Sequence, residues 1–136
     1  PKLTHLAQTR AAYIPAHDEV IMPPPAAFRS ADSYYHTLFH ELVHSTGHAS
    51  RLGREFAAFG SPAYAREELI AELGAAFLAH ACGVDPDLPQ SAAYCGSWIK
   101  ALSADPQLLQ KAASGAQRAY RVIVATAAEQ VDSQAA

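Results

Sequence analysis

The stretch His40-Glu41-Leu42-Val43-His44 most restricts what this chain can fold into. Two imidazoles four residues apart lie on one face of a helix, one turn apart, so both can bind one metal ion. Glu41 lies about 100° further round such a helix, beside the ion rather than on it. From there its carboxylate can take a proton from a water that the metal activates. A Lewis acid, a water nucleophile and an adjacent base are the requirements for hydrolysing an amide. The spacing therefore predicts a helix that buries its apolar neighbours Leu38, Phe39, Leu42 and Val43 and presents the histidines to a cleft. The plainer alternative makes His40 and His44 ordinary helix-face residues with Glu41 in solvent.

The rest of the pattern supplies that helix with a setting. Residues 12–14 and 19–22 read as short strands, and Pro15-Ala16-His17-Asp18 between them carries turn chemistry, so a hairpin is expected. Pro23-Pro24-Pro25 ends the second strand, because proline donates nothing to a ladder. The strand 19–22 is a candidate sheet edge for pairing with an extended peptide. The motif helix starts near residues 30–33, where Ser and Asp can cap it, and its body covers 34–46 before Gly47. A second helix spans 63–82 and stops at Gly83. A third starts around Ser91 and carries Trp98, Ile99 and Leu102. Asp105-Pro106 opens a fourth that runs to about residue 129. Two or three strands followed by about four helices make an α+β layout, a small N-terminal sheet and then helices.

A site that hydrolyses peptide bonds needs a third protein ligand and an open position. His48 lies four residues beyond His44, but Gly47 ends the helix first. The other source is Arg66-Glu67-Glu68-Leu69-Ile70-Ala71-Glu72, where Glu68 and Glu72 share a helix face beside the small residues Ala71, Gly74 and Ala75. Two carboxylates on a face otherwise fit for packing call for a partner, and a metal with its histidines supplies one. Glu68 as ligand, with Glu72 either bonding a ligand histidine or ligating in its place, is a gluzincin-like arrangement. Arg51 and Arg54 read as solvated loop charges that can also hold a substrate carboxylate or phosphate. Tyr34, Tyr35 and His36 precede the motif by a turn or more; packing is the simpler role, and steadying an oxyanion the alternative.

Composition narrows the classes further. With 136 residues, half of them hydrophobic and 17% charged, the chain is expected to form one ordered globular domain over 1–136. The net charge of −3 excludes a whole-chain basic field for nucleic acid. No apolar run is long enough to span a membrane, so no membrane partner and a cytoplasmic location are expected. Cys82 and Cys95 are too few for a disulfide framework and read as buried free thiols.

Two longer runs are more specific than the five-residue motif. Tyr34-Tyr35-His36-Thr37-Leu38-Phe39-His40-Glu41-Leu42-Val43-His44-Ser45-Thr46-Gly47-His48 with Arg51-Leu52-Gly53-Arg54, and Tyr64-Ala65-Arg66-Glu67-Glu68-Leu69-Ile70-Ala71-Glu72-Leu73-Gly74-Ala75-Ala76-Phe77-Leu78, are similar to the zincin-like domain at the C-terminus of ArdC-type antirestriction proteins. The resemblance covers roughly residues 10–125. It implies a zincin-like metallopeptidase fold of gluzincin type carried on mobile elements, with Zn2+ held by His40, His44 and an acid of the Glu68/Glu72 pair, and Glu41 as catalytic base. It also implies that the chain is the C-terminal domain of a longer protein. The partner is then a protein or peptide substrate, with DNA contacted only through an N-terminal domain absent from this chain. The alternative in another class is a non-catalytic antirestriction or DNA-associated module whose metal site is structural.

Overall fold

Short strands and long helices divide the chain as their sequences require. The computed structural model describes residues 1–85, 98–99 and 102–134. Three strands, β1 (Lys2–His5), β2 (Ala12–Ile14) and β3 (Glu19–Met22), form a sheet of order β1-β3-β2. β2 and β3 are the expected antiparallel pair, with Tyr13 opposite Val20. Their connection is a 3-10 turn, Pro15–His17, closed by Asp18 in the left-handed region at φ 46°. Aspartate tolerates this conformation better than most residues because its short side chain bonds locally. β1 pairs in parallel with β3, with Leu3 opposite Val20. β3 is therefore central, and the strand expected at 19–22 as a peptide-binding edge is not an edge. Among the described residues the strand that faces the cleft with one side unpaired is β2.

Helix α1 (Ala31–Ser45) begins where Ser30 accepts a hydrogen bond from the Ser33 amide. Its neighbouring motif residues serve different layers. Leu42, with Leu38, packs on the sheet cluster of Tyr13, Val20, Met22 and Tyr34. Val43, fully buried, belongs to the helical core with Leu69, Ile70, Leu78 and Leu108. A helix held on two sides leaves its third stripe, His36, His40, Glu41 and His44, for the cleft.

Helix α2 (Pro62–Cys82) has Pro62 in its first turn, the Ser61 hydroxyl accepting from the Tyr64 amide, and Gly83 at φ 68° as its left-handed stop. Gly74 brings it close to α1: a Cβ there would stand 2.7 Å from Val43 Cγ2. Helix α3 (Leu108–Gln134) packs on α2 through Ala112, Ala116 and Ala119, all fully buried. The Asp105 side chain accepts from the Gln107 amide just before it, so the helix opens about two residues later than Asp105-Pro106 suggests and runs past 129. Trp98, Ile99 and residues 102–104 are helical, while the start expected near Ser91 and Cys95 lie outside the described residues. Cys82 is exposed at the end of α2, not buried, because the last turn of that helix extends past the core.

Among the described residues no helix is long and apolar enough to cross a membrane. The α+β arrangement of a small sheet followed by helices is the one expected from the pattern.

Candidate metal centre

The site is built from α1, α2 and one arginine of the segment between them. His40 and His44 stand one turn apart on α1, with their Nε2 atoms 3.1 Å from each other. Both Nε2 atoms face the Glu68 carboxylate on α2, at 3.7 Å from His40 and 3.4 Å from His44. Each outward nitrogen is held by a different acid. His40 Nδ1 lies 3.2 Å from Glu72 Oε2, and His44 Nδ1 lies 3.0 Å from Glu67 Oε1. A carboxylate at Nδ1 fixes the tautomer that donates there and leaves the Nε2 lone pair turned inward.

Glu67 is in turn gripped by Arg54. Nε and Nη2 of the guanidinium donate to its two oxygens at 2.8 and 2.9 Å. The remaining Arg54 donors reach Thr46 Oγ1 and the Val43 carbonyl, both at 2.7 Å. Neither Glu67 nor Arg54 is therefore a solvated charge. The sequence signal for them was an arginine at the end of Arg51-Leu52-Gly53-Arg54 and an acid adjacent to Glu68. The i, i+4 rule, which picks out Glu68 with Glu72, passes over Glu67. Arg51 is also a brace: it donates to the Ser45 carbonyl at 2.8 Å and pairs with Asp18 through both Nη atoms, tying the β2–β3 turn to the end of α1. His48 lies beyond the helix and bonds Ser50 at 2.8 Å, away from the other histidines.

The electrostatics ask for a cation. Glu41, Glu67, Glu68 and Glu72 are all buried, between 6% and 9% exposed, and Arg54 pairs with Glu67. Burial alone would lower the basicity of His40, but hydrogen bonds to the Glu68 and Glu72 carboxylates and the charge of Glu41 overcome it and raise it. Glu68 is the mirror case: burial pushes it up, yet bonds to His40 and His44 bring it well below the usual carboxylate range. Two Nε2 atoms 3.1 Å apart can hold one proton between them and not two. Two metal–nitrogen bonds of 2.0–2.1 Å at a tetrahedral angle would set such atoms about 3.3 Å apart. His40, His44 and Glu68 form the group whose ligand atoms lie within 4.8 Å of one another. The donor set, two imidazoles and a carboxylate already converged, fits a divalent ion.

A cleft of about 990 Å³ opens above this group, lined by His40, Glu41 and His36 from α1 and by Ala11 beside β2. A second hollow of about 460 Å³ shares His40 and Glu41 and continues past His44 between Tyr13 and Phe56. Phe56, Ala57 and Phe59, from the segment between the helices, form part of the walls.

Known proteins carry the same domain. A family profile described as zincin-like metallopeptidase matches residues 2–115. A DNA primase TraC of Escherichia coli is 45% identical over 130 residues, which cover 95% of this chain and 9% of that protein. The Mn(II)-bound crystal structure of the antirestriction ArdC protein from plasmid R388 superposes with a TM-score of 0.84 at 46% identity, over 93% of this chain and 48% of that one. Its metal-free structure gives 0.81, also at 46% identity, over 94% and 47% of the two chains. The chain thus spans under a tenth of the length of the TraC protein and about half that of the ArdC chain it matches. With the profile covering most of its length and the fold shared with ArdC, the chain belongs to the zincin-like metallopeptidase family.

Proposed function

We propose that this domain hydrolyses peptide bonds with a zinc ion held by His40, His44 and Glu68, and that Glu41 is its general base. The observation that carries the reading is the orientation of the two imidazoles. Each Nδ1 is engaged by its own carboxylate, while both Nε2 atoms converge on Glu68. An ion bound there supplies Lewis acidity to the scissile carbonyl and to the attacking water. Glu41 takes the proton of that water and returns it to the leaving amine. Glu72 and Glu67 hold the ligand imidazoles. The unpaired side of β2 offers main-chain groups to an extended substrate lying in the cleft.

The names of the relatives suggest the setting. ArdC is an antirestriction protein of a plasmid, and TraC is a DNA primase. We therefore place the activity in a mobile-element context, within the cytoplasm, directed at a protein substrate. DNA contact is left to other domains of a longer protein in which residues 1–136 form one unit.

The test is a zinc titration of metal-free protein followed by cleavage of a peptide library read by mass spectrometry. One zinc per chain and cleavage in the wild type are expected, with Glu41→Gln keeping the zinc and losing cleavage by about 10²-fold or more. His40→Ala should lose both. A chain that binds zinc yet cleaves no better than Glu41→Gln, while both retain antirestriction, would favour a contact module with a structural metal.

A further inference from the structure

His36 sits one turn before His40 on the cleft stripe of α1 and is 3% exposed, yet its imidazole makes no hydrogen bond to any described residue. It lines the larger cleft. Its ring nitrogens are not closed off from the cleft, so a group entering there can bond them. One turn of helix places it about 6 Å along the axis from His40, within the span of one or two substrate residues. An imidazole carries at least one N–H donor in either protonation state.

The surroundings say what kind of group would complete it. Away from Glu41 and Glu72, the lining of this cleft contains no acid. It offers Gln8, Thr9 and Thr37 and two guanidiniums, Arg10 and Arg29. Arg10 is exposed, enters no ion pair among the described residues, and borders both the larger cleft and the hollow beyond His44. Toward the metal centre Glu72 is engaged with His40 and Glu67 with Arg54, while Glu41 faces the cleft. A lysine or arginine side chain entering past His36 would meet the like charge of Arg10. A carboxylate would meet a donor at the floor and a cation at the rim.

The geometry points to a side-chain pocket at this end of the cleft that selects an acidic residue, Asp or Glu, next to the bond to be cleaved, with His36 as floor donor and Arg10 as rim charge. The placement beside the cleaved bond rests on the peptidase reading; the binding preference does not. His36 and Arg10 are specificity residues here, not part of the zinc or proton-transfer machinery.

Two measurements separate these parts. In the first, the zinc-loaded chain is titrated with blocked dipeptides, Ac-Ala-Xaa-NHMe with Xaa as Asp, Glu, Ala or Lys, using calorimetry and NMR of 15N-labelled histidine. The acidic peptides should bind about tenfold tighter than the alanine peptide, the scale of one charge-assisted hydrogen bond. The His36 ring nitrogens, assigned by their loss in His36→Leu, should shift with acidic peptides only. His36→Leu should bring the preference below about threefold with one zinc still bound, and His36→Gln, which restores a donor, should recover part of it. If His36→Leu does not fold, Arg10→Ala, at an exposed position, carries the same expectation of a reduced preference.

In the second, the cleavage profile of the wild type should show Asp or Glu beside the cut. Acid-selective binding with no cleavage by the wild type would uphold the pocket and sink the peptidase reading. Cleavage or binding with no acidic preference, or a preference that survives both His36→Leu and Arg10→Ala, overturns the pocket.

Discussion

Arg54 makes four contacts with one side chain: both oxygens of Glu67 through two nitrogens, the Val43 carbonyl and the Thr46 hydroxyl; through Glu67 it also fixes the orientation of His44. Only a planar guanidinium can do this, because its donors form a fixed fork. Removing it strands a buried carboxylate, so Arg54→Ala should cost about 3–5 kcal/mol in urea unfolding. It should also weaken zinc about 10- to 100-fold in a chelator competition, by freeing His44. Arg54→Lys should recover little of either. A second residue-scale prediction concerns Asp18. The bond from Arg51 outweighs burial, and with the Tyr13 hydroxyl it brings the Asp18 carboxylate well below its ordinary value. A depressed carboxylate adds stability that is present above its unfolded value of about 3.9 and is lost as pH falls through the folded one. Asp18→Asn should therefore narrow the stability difference between pH 6 and pH 3, measured by urea unfolding in one metal state. An unchanged difference would mean that the brace contributes nothing. At this scale the sequence was informative where periodicity applied. His40, His44, Glu68 and Glu72 could be placed because helix spacing sets their faces. Glu67 and Arg54 could not, because their meeting depends on how a 16-residue segment between helices folds back, and no local period encodes that.

Between elements, the decisive contact is Gly74 against Val43. Both α1 and α2 carry groups of the centre, so their separation is the separation of the histidines from Glu68. Alanine at 74 would gain at most about 1 kcal/mol of helix propensity. Its Cβ would stand 2.7 and 3.0 Å from the two Val43 methyls, and overpacking of that kind costs about 1–3 kcal/mol, so destabilisation should win. Gly74→Ala should lower Tm, and its cost should shrink when Val43→Ala is already present, a non-additivity that a double-mutant cycle would read. The small residues beside Glu68 and Glu72 were visible in the sequence as a surface for close approach. β1 was not specified, because its burial is slight and it pairs in parallel with a strand seventeen residues away, so no hairpin turn marks it. The order β1-β3-β2 followed from that unseen strand, and with it the identity of the cleft-side edge.

For the molecule as a whole, the fold should persist when the ion is removed. The chain matches the Mn(II)-bound and metal-free ArdC structures almost equally, at TM-scores of 0.84 and 0.81. Chelation should accordingly leave the far-ultraviolet dichroism of a folded protein and lower Tm only by the binding contribution, about 2.7 kcal/mol when zinc is present at a hundred times Kd. Uptake should expel protons. His40 is raised to about 10 in the metal-free centre, so at pH 7.5 at least one proton leaves when the ion enters. Calorimetry in buffers of different ionisation enthalpy should count it, and apparent affinity should strengthen about tenfold per pH unit through the neutral range. A buffer-independent heat would mean that His40 is already neutral. The contact at Gly74 then has a bearing on ionic radius. The two helices set the spacing of the ligands, and a valine methyl sets how near the helices come. If His40, His44 and Glu68 hold the ion as proposed, Gly74→Ala should change the relative affinity for a small ion and a larger one without touching either.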